Sequence, residues 1–230
     1  MIPLKDDNPT NRFPIVTVLL VALNIVVFLY ELTLGPTALE AFIRTHAFIP
    51  ADFLADPFSV QQWMTVFAAM FMHAGFLHIG GNMLYLWIFG NNVEDRMGSV
   101  PFLLFYLLAG FAATVAQAFA APASTVPNLG ASGAIAGVLG SYILLYPGAA
   151  VLTLIPIFFF IEVARIPAFV VIGFWFVLQL ANGIASLAPA ISQGGVAYFA
   201  HIGGFAAGLA VALPLALLDR SRRRQAQFRA

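Results

Sequence analysis

Six stretches of mostly apolar residues, separated by turn-forming or charged segments, constrain this chain more than any other feature. A helix needs about 20 such residues to cross roughly 30 Å of hydrocarbon. Of the 230 residues, 61% are hydrophobic and 9% are charged, and the mean hydropathy is +0.93. The surface of a water-soluble protein of this size cannot be built from that composition. We therefore predict an integral membrane protein with spans at 13–34, 75–89, 100–121, 129–146, 168–187 and 196–218.

The segment 151–167 is also apolar but is interrupted by Pro156, so it is either a seventh span or an interfacial loop. Its short apolar length favours the loop. Charge provides an independent check, because basic residues concentrate on the cytoplasmic side of membrane proteins. With six spans and a cytoplasmic N-terminus, nine of the ten basic residues are cytoplasmic and only Arg44 lies outside. The sequence thus predicts an all-α, six-helix membrane domain with both termini cytoplasmic, divided into an N-terminal segment 1–12, the membrane domain 13–218 and a basic tail 219–230.

Few polar residues lie inside the predicted spans, and four of them fall at one depth. With six spans, the second, fourth and sixth are parallel and enter from the outer face. Ser132 in the fourth and His201 in the sixth then lie roughly 6 to 8 Å below that face, at about 1.5 Å per residue. His78 and Asn82 lie early in the second span, and their spacing of four places both on one helix face. An ionisable histidine inside a membrane is costly and by default indicates a functional site.

Pairs of glycines four residues apart suggest how these polar residues meet. They occur in the fourth span, at Gly133 and Gly137, and in the sixth, at Gly204 and Gly208. Small residues at this spacing let membrane helices pack with their backbones in contact. Such packing would bring the Ser132 hydroxyl within hydrogen-bonding reach of His201. The alternative is that the glycines serve packing alone and that Ser132 bonds to a backbone carbonyl of its own helix.

Three motifs, in this order on the predicted spans, carry a resemblance to a known family. They are HAGFLHIGGN at 73–82, GASG at 130–133 and AHIGGFAAG at 200–208. They resemble the motifs of the rhomboid family of intramembrane serine proteases, and NVEDR, at 92–96, resembles the cytoplasmic turn after that family's second helix. The resemblance implies a six-helix rhomboid bundle that cleaves the transmembrane segments of other membrane proteins.

The resemblance also implies a role for each polar residue. Ser132 would be the nucleophile and His201 the general base, with His78, Asn82 and the Ser132 amide stabilising the oxyanion and Gly130 supporting them. A serine hydroxyl needs a neighbouring base, and neutral histidine is one near pH 7. None of the ten acidic residues lies in the outer half of the fourth or sixth span. A Ser-His dyad is therefore expected rather than a Ser-His-Asp triad, with no cofactor and no metal.

One position departs from the family pattern. Rhomboids often place a tyrosine four residues after the nucleophile, where its ring stacks on the histidine, and this chain has Ala136 there. Either another ring, such as that of Tyr198 or Phe199, takes its place, or His201 is less restrained.

Other functions fit the residues less well. A metalloprotease is disfavoured because His73 and His78 are five residues apart and HExxH is absent. A transporter is disfavoured because no intramembrane acidic pair or broken-helix repeat is visible. A catalytically silent rhomboid-like chaperone or binding protein is the open alternative. We expect transmembrane protein substrates and the lipid bilayer as partners, no nucleic acid, and a bacterial inner membrane as the location. The oligomeric state is not set by the sequence.

Overall fold

The computed structural model describes residues 1–157, 159–187 and 195–227. Helices account for most of this part of the chain. They are α1 (Ile15–Thr33), α2 (Pro36–His46), α3 (Pro50–Ala55), α4 (Val60–Ala68), α5 (Phe76–Tyr85), α6 (Asn91–Met97), α7 (Ser99–Ala120), α8 (Ser132–Leu145), α9 (Ala168–Ser186) and α10 (Tyr198–Gln227). The last three residues, and all five basic side chains of the predicted tail, lie outside the described residues.

Four helices are long and apolar enough to cross a membrane, namely α1, α7, α9 and the first 22 residues of α10. The run from α4 through α6 adds a fifth span if its two parts are counted together, although they are bent by 83°. α8 has only 14 residues, but every residue from Gly133 to Tyr142 is buried. Because α8 is surrounded by protein, its length does not have to match the bilayer. The prediction of an integral membrane protein built mainly from helices is confirmed.

The predicted second span begins at a sharp bend. The apolar residues from Trp63 onward belong to α4 and a 3₁₀ turn, not to a straight extension of α5. The backbone amide of His73, in the bend, donates to the Glu31 carboxylate of α1 at 3.2 Å. The Gly75 carbonyl accepts the first hydrogen bonds of α5, from His78 and Ile79. His78 therefore lies in the first turn of a helix whose start is tied to α1.

The segment 151–167 is a β-hairpin, so it is not a seventh span, and the all-α expectation was incomplete. Strands β2 (Ala150–Ile157) and β3 (Phe160–Pro167) pair antiparallel, and β1 (Ile2–Asp6) pairs antiparallel with β2 to give the order β1-β2-β3. The hairpin is rich in β-branched and aromatic residues, which favour strands. An apolar run of this length can form a strand as well as part of a helix, and periodicity alone does not separate the two.

The sheet lies at the end of the helix bundle opposite Ser132. Ser132 is the first residue of α8, whereas Tyr142 lies in its last turn. The Tyr142 hydroxyl donates to the Asp6 carboxylate of β1 at 2.7 Å and accepts from the Asn8 amide at 2.7 Å. The N-terminal segment is therefore packed against the bundle.

Glu94, in the NVEDR segment, joins three helices at the same end. Its carboxylate accepts from the backbone amides of Val16 and Thr17 at 2.9 and 2.7 Å and from the Ser99 hydroxyl at 2.6 Å. These bonds satisfy amides that the start of α1 leaves without a partner in its own helix. Two residues later, Arg96 forms a salt bridge with Asp219 of α10. This turn therefore fixes the relative positions of α1, α6, α7 and α10.

Candidate active site

α8 and α10 pack with their backbones in contact, and this contact sets the position of the site. A Cβ atom at Gly204 would overlap the carbonyl oxygen of Gly133, and one at Gly208 would overlap that of Gly137. Ser141 strengthens the contact, since its hydroxyl donates to the Gly208 carbonyl at 3.0 Å. All four glycines of the two motifs lie at this interface, where a larger residue would force the helices apart.

Ser132 and His201 meet at the end of this interface where α8 and α10 begin. Ser132 is the first residue of α8, and His201 lies in the first turn of α10. Ser132 Oγ lies 2.7 Å from His201 Nε2, a hydrogen-bond distance. The His201 side chain is buried. This distance falls within the range, about 2.6 to 3.2 Å, that joins a nucleophile to its base in enzymes that use one.

The other ring nitrogen of His201 has a partner that sequence analysis missed. His201 Nδ1 lies 2.8 Å from the side-chain oxygen of Gln179, a buried residue of α9. The Gln179 amide nitrogen donates in turn to the backbone carbonyl of Trp175 at 3.3 Å. An amide in the middle of an apolar span was the available signal for this residue. Within the described residues, the hydrogen-bond partners of the His201 ring are thus a serine and a glutamine.

The aromatic ring beside His201 comes from α9 and not from the expected neighbours. The Trp175 and His201 ring centroids are 5.7 Å apart, with the planes inclined by 40°. Tyr198 and Phe199 instead approach Gly183. Ala136 is completely buried. Trp175 and Gln179 are one helical turn apart, so both face His201 from the same side of α9.

His78 and Asn82 approach the loop before Ser132 from α5. His78 Nδ1 accepts a hydrogen bond from the Ala74 backbone amide at 3.3 Å, which leaves Nε2 as the nitrogen that carries the proton. The Asn82 side chain is buried, and its amide nitrogen has no acceptor among the described residues. Two donors on one helix face are thus directed toward the Ser132 end of α8.

Gly130 makes this approach possible. Its φ angle is +126°, in a region that residues with a Cβ rarely adopt. A Cβ atom at Gly130 would lie 2.7 Å from His78 Nε2. The Gly130 amide donates to the Ala69 carbonyl at 2.8 Å, and the backbones of Asn128 and Phe48 exchange two hydrogen bonds. The loop that leads into Ser132 is therefore held in place on both sides.

A cavity of about 720 Å³ opens onto these groups. It is lined by all four polar residues of the predicted site and by Trp175. The remaining wall is mostly apolar and continues along α8 past Ile135 to Leu139. A cavity of this size, apolar with a few converging polar groups, is typical of a binding site.

Comparison with known proteins agrees with the motifs. The model of the Rhomboid domain family matches residues 60–217, more than half of the chain. "Rhomboid protein 1, mitochondrial" of Saccharomyces cerevisiae is 28% identical over 172 residues, covering 73% of this chain and 44% of that protein. "Rhomboid protease GluP" of Bacillus subtilis is 36% identical over 132 residues, covering 57% of this chain and 24% of that protein. The chain spans less than half the length of both relatives.

Proposed function

This chain belongs to the rhomboid family, and we propose that it is an intramembrane serine endopeptidase with Ser132 as nucleophile and His201 as general base. The match to the Rhomboid domain family and to a relative named as a rhomboid protease supports a serine protease at the level of the family. The observation that carries the proposal for this chain is the 2.7 Å hydrogen bond between Ser132 Oγ and His201 Nε2. Both residues line the cavity, so a substrate can reach them.

The first half of the reaction forms an acyl-enzyme. Ser132 Oγ attacks the carbonyl carbon of the scissile peptide bond while His201 Nε2 takes the hydroxyl proton. The carbonyl electron pair moves onto its oxygen, which gives a tetrahedral oxyanion. When this intermediate collapses, the C–N bond breaks and His201 returns the proton to the leaving amine.

The second half uses water. His201 removes a proton from a water molecule as that water attacks the acyl carbon. Collapse releases the new carboxyl terminus, and His201 returns the proton to Ser132. Each half therefore begins and ends with a neutral imidazole, and no carboxylate takes part in the proton transfers.

The oxyanion needs hydrogen-bond donors. We assign this role to the Ser132 backbone amide at the start of α8, to the Asn82 amide nitrogen and to His78 Nε2. The buried Asn82 nitrogen has no acceptor in the part of the chain that the structure describes, and this supports the assignment, because an unpaired buried donor is otherwise unfavourable. Donors aimed at developing charge typically contribute on the order of 3 kcal/mol each to transition-state stabilisation.

The proposed topology has six spans, formed by α1, the run α5–α6, α7, α8, α9 and α10, with both termini in the cytoplasm. The sheet supports it, because β1 pairs with the segment between α8 and α9. Six spans place both of these segments on the cytoplasmic side. The site then lies toward the outer face, where water can enter the cavity.

We propose that the substrate is a transmembrane segment of another membrane protein that unwinds locally to present an extended bond. Residues that weaken helices near its outer end favour such unwinding. The chain is an integral membrane protein. One of the matched relatives comes from a bacterium and the other is named as a mitochondrial protein. The bacterial inner membrane therefore stays a prediction for this chain.

Labelling with a serine-directed fluorophosphonate tests the proposal. The purified full chain should be labelled on Ser132, and Ser132→Ala should abolish the label. Ser141→Ala is the matched control, because Ser141 lies on the same helix but bonds to the Gly208 carbonyl. A folded wild-type protein that is neither labelled nor able to cleave model transmembrane substrates would instead be a silent rhomboid-like binding protein.

A further inference from the structure

We propose that Gln179 is a positioning residue that holds His201 in the tautomer able to act as a base. This inference rests on the proposed function, since it concerns how the same site works. The carbonyl oxygen of an amide can only accept a hydrogen bond. His201 Nδ1, 2.8 Å away, must therefore carry the proton. The lone pair is then on Nε2, which faces the Ser132 hydroxyl.

The orientation of the Gln179 amide follows from its second hydrogen bond. Its nitrogen donates to the backbone carbonyl of Trp175 at 3.3 Å. If the amide were reversed, its oxygen would face that carbonyl oxygen and its nitrogen would face His201 Nδ1. Two acceptors would then lie against each other. The carbonyl of Trp175 thus selects the Gln179 rotamer, and Gln179 selects the His201 tautomer.

A neutral residue is suited to this position. A carboxylate in the same place would hold the imidazole equally well, but a charge inside a membrane span is costly. Trp175, one turn earlier on α9, packs beside the same imidazole. α9 therefore supplies both a hydrogen bond and a ring to His201, which compensates for the alanine at position 136.

Three variants separate positioning from packing. Gln179→Met keeps the length of the side chain but removes the acceptor, and we expect kcat for a model transmembrane substrate to fall roughly 10- to 100-fold. Gln179→Glu keeps an acceptor and adds a charge that stabilises the imidazolium. The acidic limb of its pH profile should therefore move to higher pH. Asn182→Leu is the control, because it removes an exposed side-chain amide from the same helix. It should leave kcat and the pH profile unchanged.

A readout that needs no activity keeps this inference distinct from the proposed function. In protein labelled with ¹⁵N-histidine, the ring signals of His201 are identified by their loss in His201→Asn. Their ¹⁵N chemical shifts should show a protonated Nδ1 in the wild type. In Gln179→Met, the shifts should show a mixture of the two tautomers. An unchanged tautomer in a Gln179→Met protein that melts like the wild type overturns the inference, even if Ser132 is the nucleophile. Absence of cleavage by the wild type, with the tautomer shift intact, overturns only the proposed function.

A second observation, independent of the site, concerns the hairpin tip, by which we mean Ile157, Phe159, Phe160 and Ile161. We infer that it rests between the headgroups and acyl chains of the bilayer leaflet opposite the site. Phe159 is 99% exposed and Phe160 is 77% exposed. Apolar side chains such as Phe, on a segment that lies in the membrane surface, insert into the boundary between headgroups and acyl chains, because this takes their area out of water.

The pairing of the strands shows which way the hairpin tip faces. Side chains along a strand alternate between the two faces of a sheet. Val151 and Thr153 of β2 are completely buried, so their face is directed toward the bundle. Ile157 shares that face and pairs with Phe160, which therefore points the same way. Both are exposed, so this part of the hairpin extends past the edge of the bundle, where lipid surrounds the protein.

Neighbouring residues set the depth of the hairpin tip. α9 begins at Ala168, directly after β3 ends at Pro167, so the hairpin joins the membrane domain without a linker. Glu162 is exposed on the same face as Phe160. Its carboxylate is compatible with headgroups but not with the hydrocarbon core. The hairpin therefore lies along the membrane surface, and only the hairpin tip reaches the acyl chains.

Spin labelling tests this placement without background, because the chain contains no cysteine. In phospholipid vesicles, a nitroxide on Phe160→Cys should collide more with oxygen than with a water-soluble nickel chelate. A nitroxide on Val163→Cys, exposed on the opposite face, should show the reverse. Equal access of the chelate to both positions overturns the inference. Dipolar broadening of the Phe160→Cys spectrum also overturns it, because the hairpin tip would then contact a second copy of the chain and not lipid. Phe159→Cys replaces Phe160→Cys if the latter lowers the melting temperature.

Discussion

Ser132 Oγ and His201 Nε2 lie 2.7 Å apart although 69 residues separate them in the chain. If these atoms share one proton-transfer step, Ser132→Ala and His201→Ala should each abolish cleavage of a model transmembrane substrate. The double variant should be little worse than either single one, because residues that act in one step are not additive. Cleavage is measured on gels with purified proteins, and equal melting temperatures show that the variants fold. Retained cleavage by Ser132→Ala would assign the serine a structural role.

If Asn82 donates to the oxyanion, as proposed, and not to the bound substrate, Asn82→Ala should slow turnover by roughly 10²- to 10³-fold and leave KM nearly unchanged. Full kinetics with the same substrate measure both constants. A rise in KM alone would reassign Asn82 to substrate binding, and an unchanged kcat would remove it from the site.

Gly208→Ala should destabilise the protein by at least the roughly 1 to 3 kcal/mol typical of overpacking, because the added Cβ meets the backbone of α8 and not a side chain that can move. Thermal unfolding in detergent measures the effect. Gly173→Ala is the matched control, since a Cβ there meets no atom within 4 Å. Similar losses of stability in both variants would contradict the close contact of α8 with α10.

Stability should depend on the charge of Asp6. Burial raises the pKa of this carboxyl above its ordinary value, although the hydrogen bond from Tyr142 opposes the shift. The folded state therefore favours the protonated acid. Its stabilising contribution is present below the ordinary pKa and is lost as pH rises through the raised one.

Asp6→Asn keeps an oxygen for the Tyr142 hydroxyl but carries no charge. We expect it to melt above the wild type at about pH 8 and to lose that advantage at about pH 4. Asp7→Asn, at the neighbouring exposed position, should change the melting temperature little. A lower melting temperature for Asp6→Asn at both pH values would show that the ionised form is the one the fold prefers.

Reporter fusions at both ends should report the cytoplasmic side, because nine of the ten basic residues then lie there. The sheet predicts the same side for a reporter inserted after Gly148, between α8 and β2. A C-terminal reporter on the outer side would contradict six spans.

Local pattern was enough to predict an integral membrane protein built mainly from helices and to point to four polar residues of the proposed site. An apolar run of sufficient length has few alternatives to a membrane helix, because the bilayer leaves no water to bond the backbone. The cost of polar groups in that setting draws attention to Ser132, His201, His78 and Asn82. The parity of six spans predicts that these residues share one depth, and the structure brings all four to one cavity.

The partners of His201 could not be predicted in the same way. The amide of Gln179 is unusual in an apolar helix, but it does not indicate a partner. Gln179 and Trp175 contact His201 only because α9 packs beside α10 with that face inward. The glycine motif predicted which helices touch, but no comparable motif on α9 indicates its rotation. The ring beside His201 therefore comes from another helix and not from Tyr198 or Phe199, its neighbours in the sequence.

The sequence by itself determined the properties that depend on neighbouring residues in the chain. It shows which segments are apolar enough to span a membrane, where glycines allow helices to pack closely, and which polar side chains are costly inside a bilayer. Only the tertiary structure decided that Ile2–Asp6 joins the segment after α8 in a sheet, and that Glu94 caps α1. Both depend on hydrogen bonds between residues far apart in the chain. Such partners are chosen by the packing of the whole bundle, because backbone groups with no partner in their own segment must find one wherever the fold brings it.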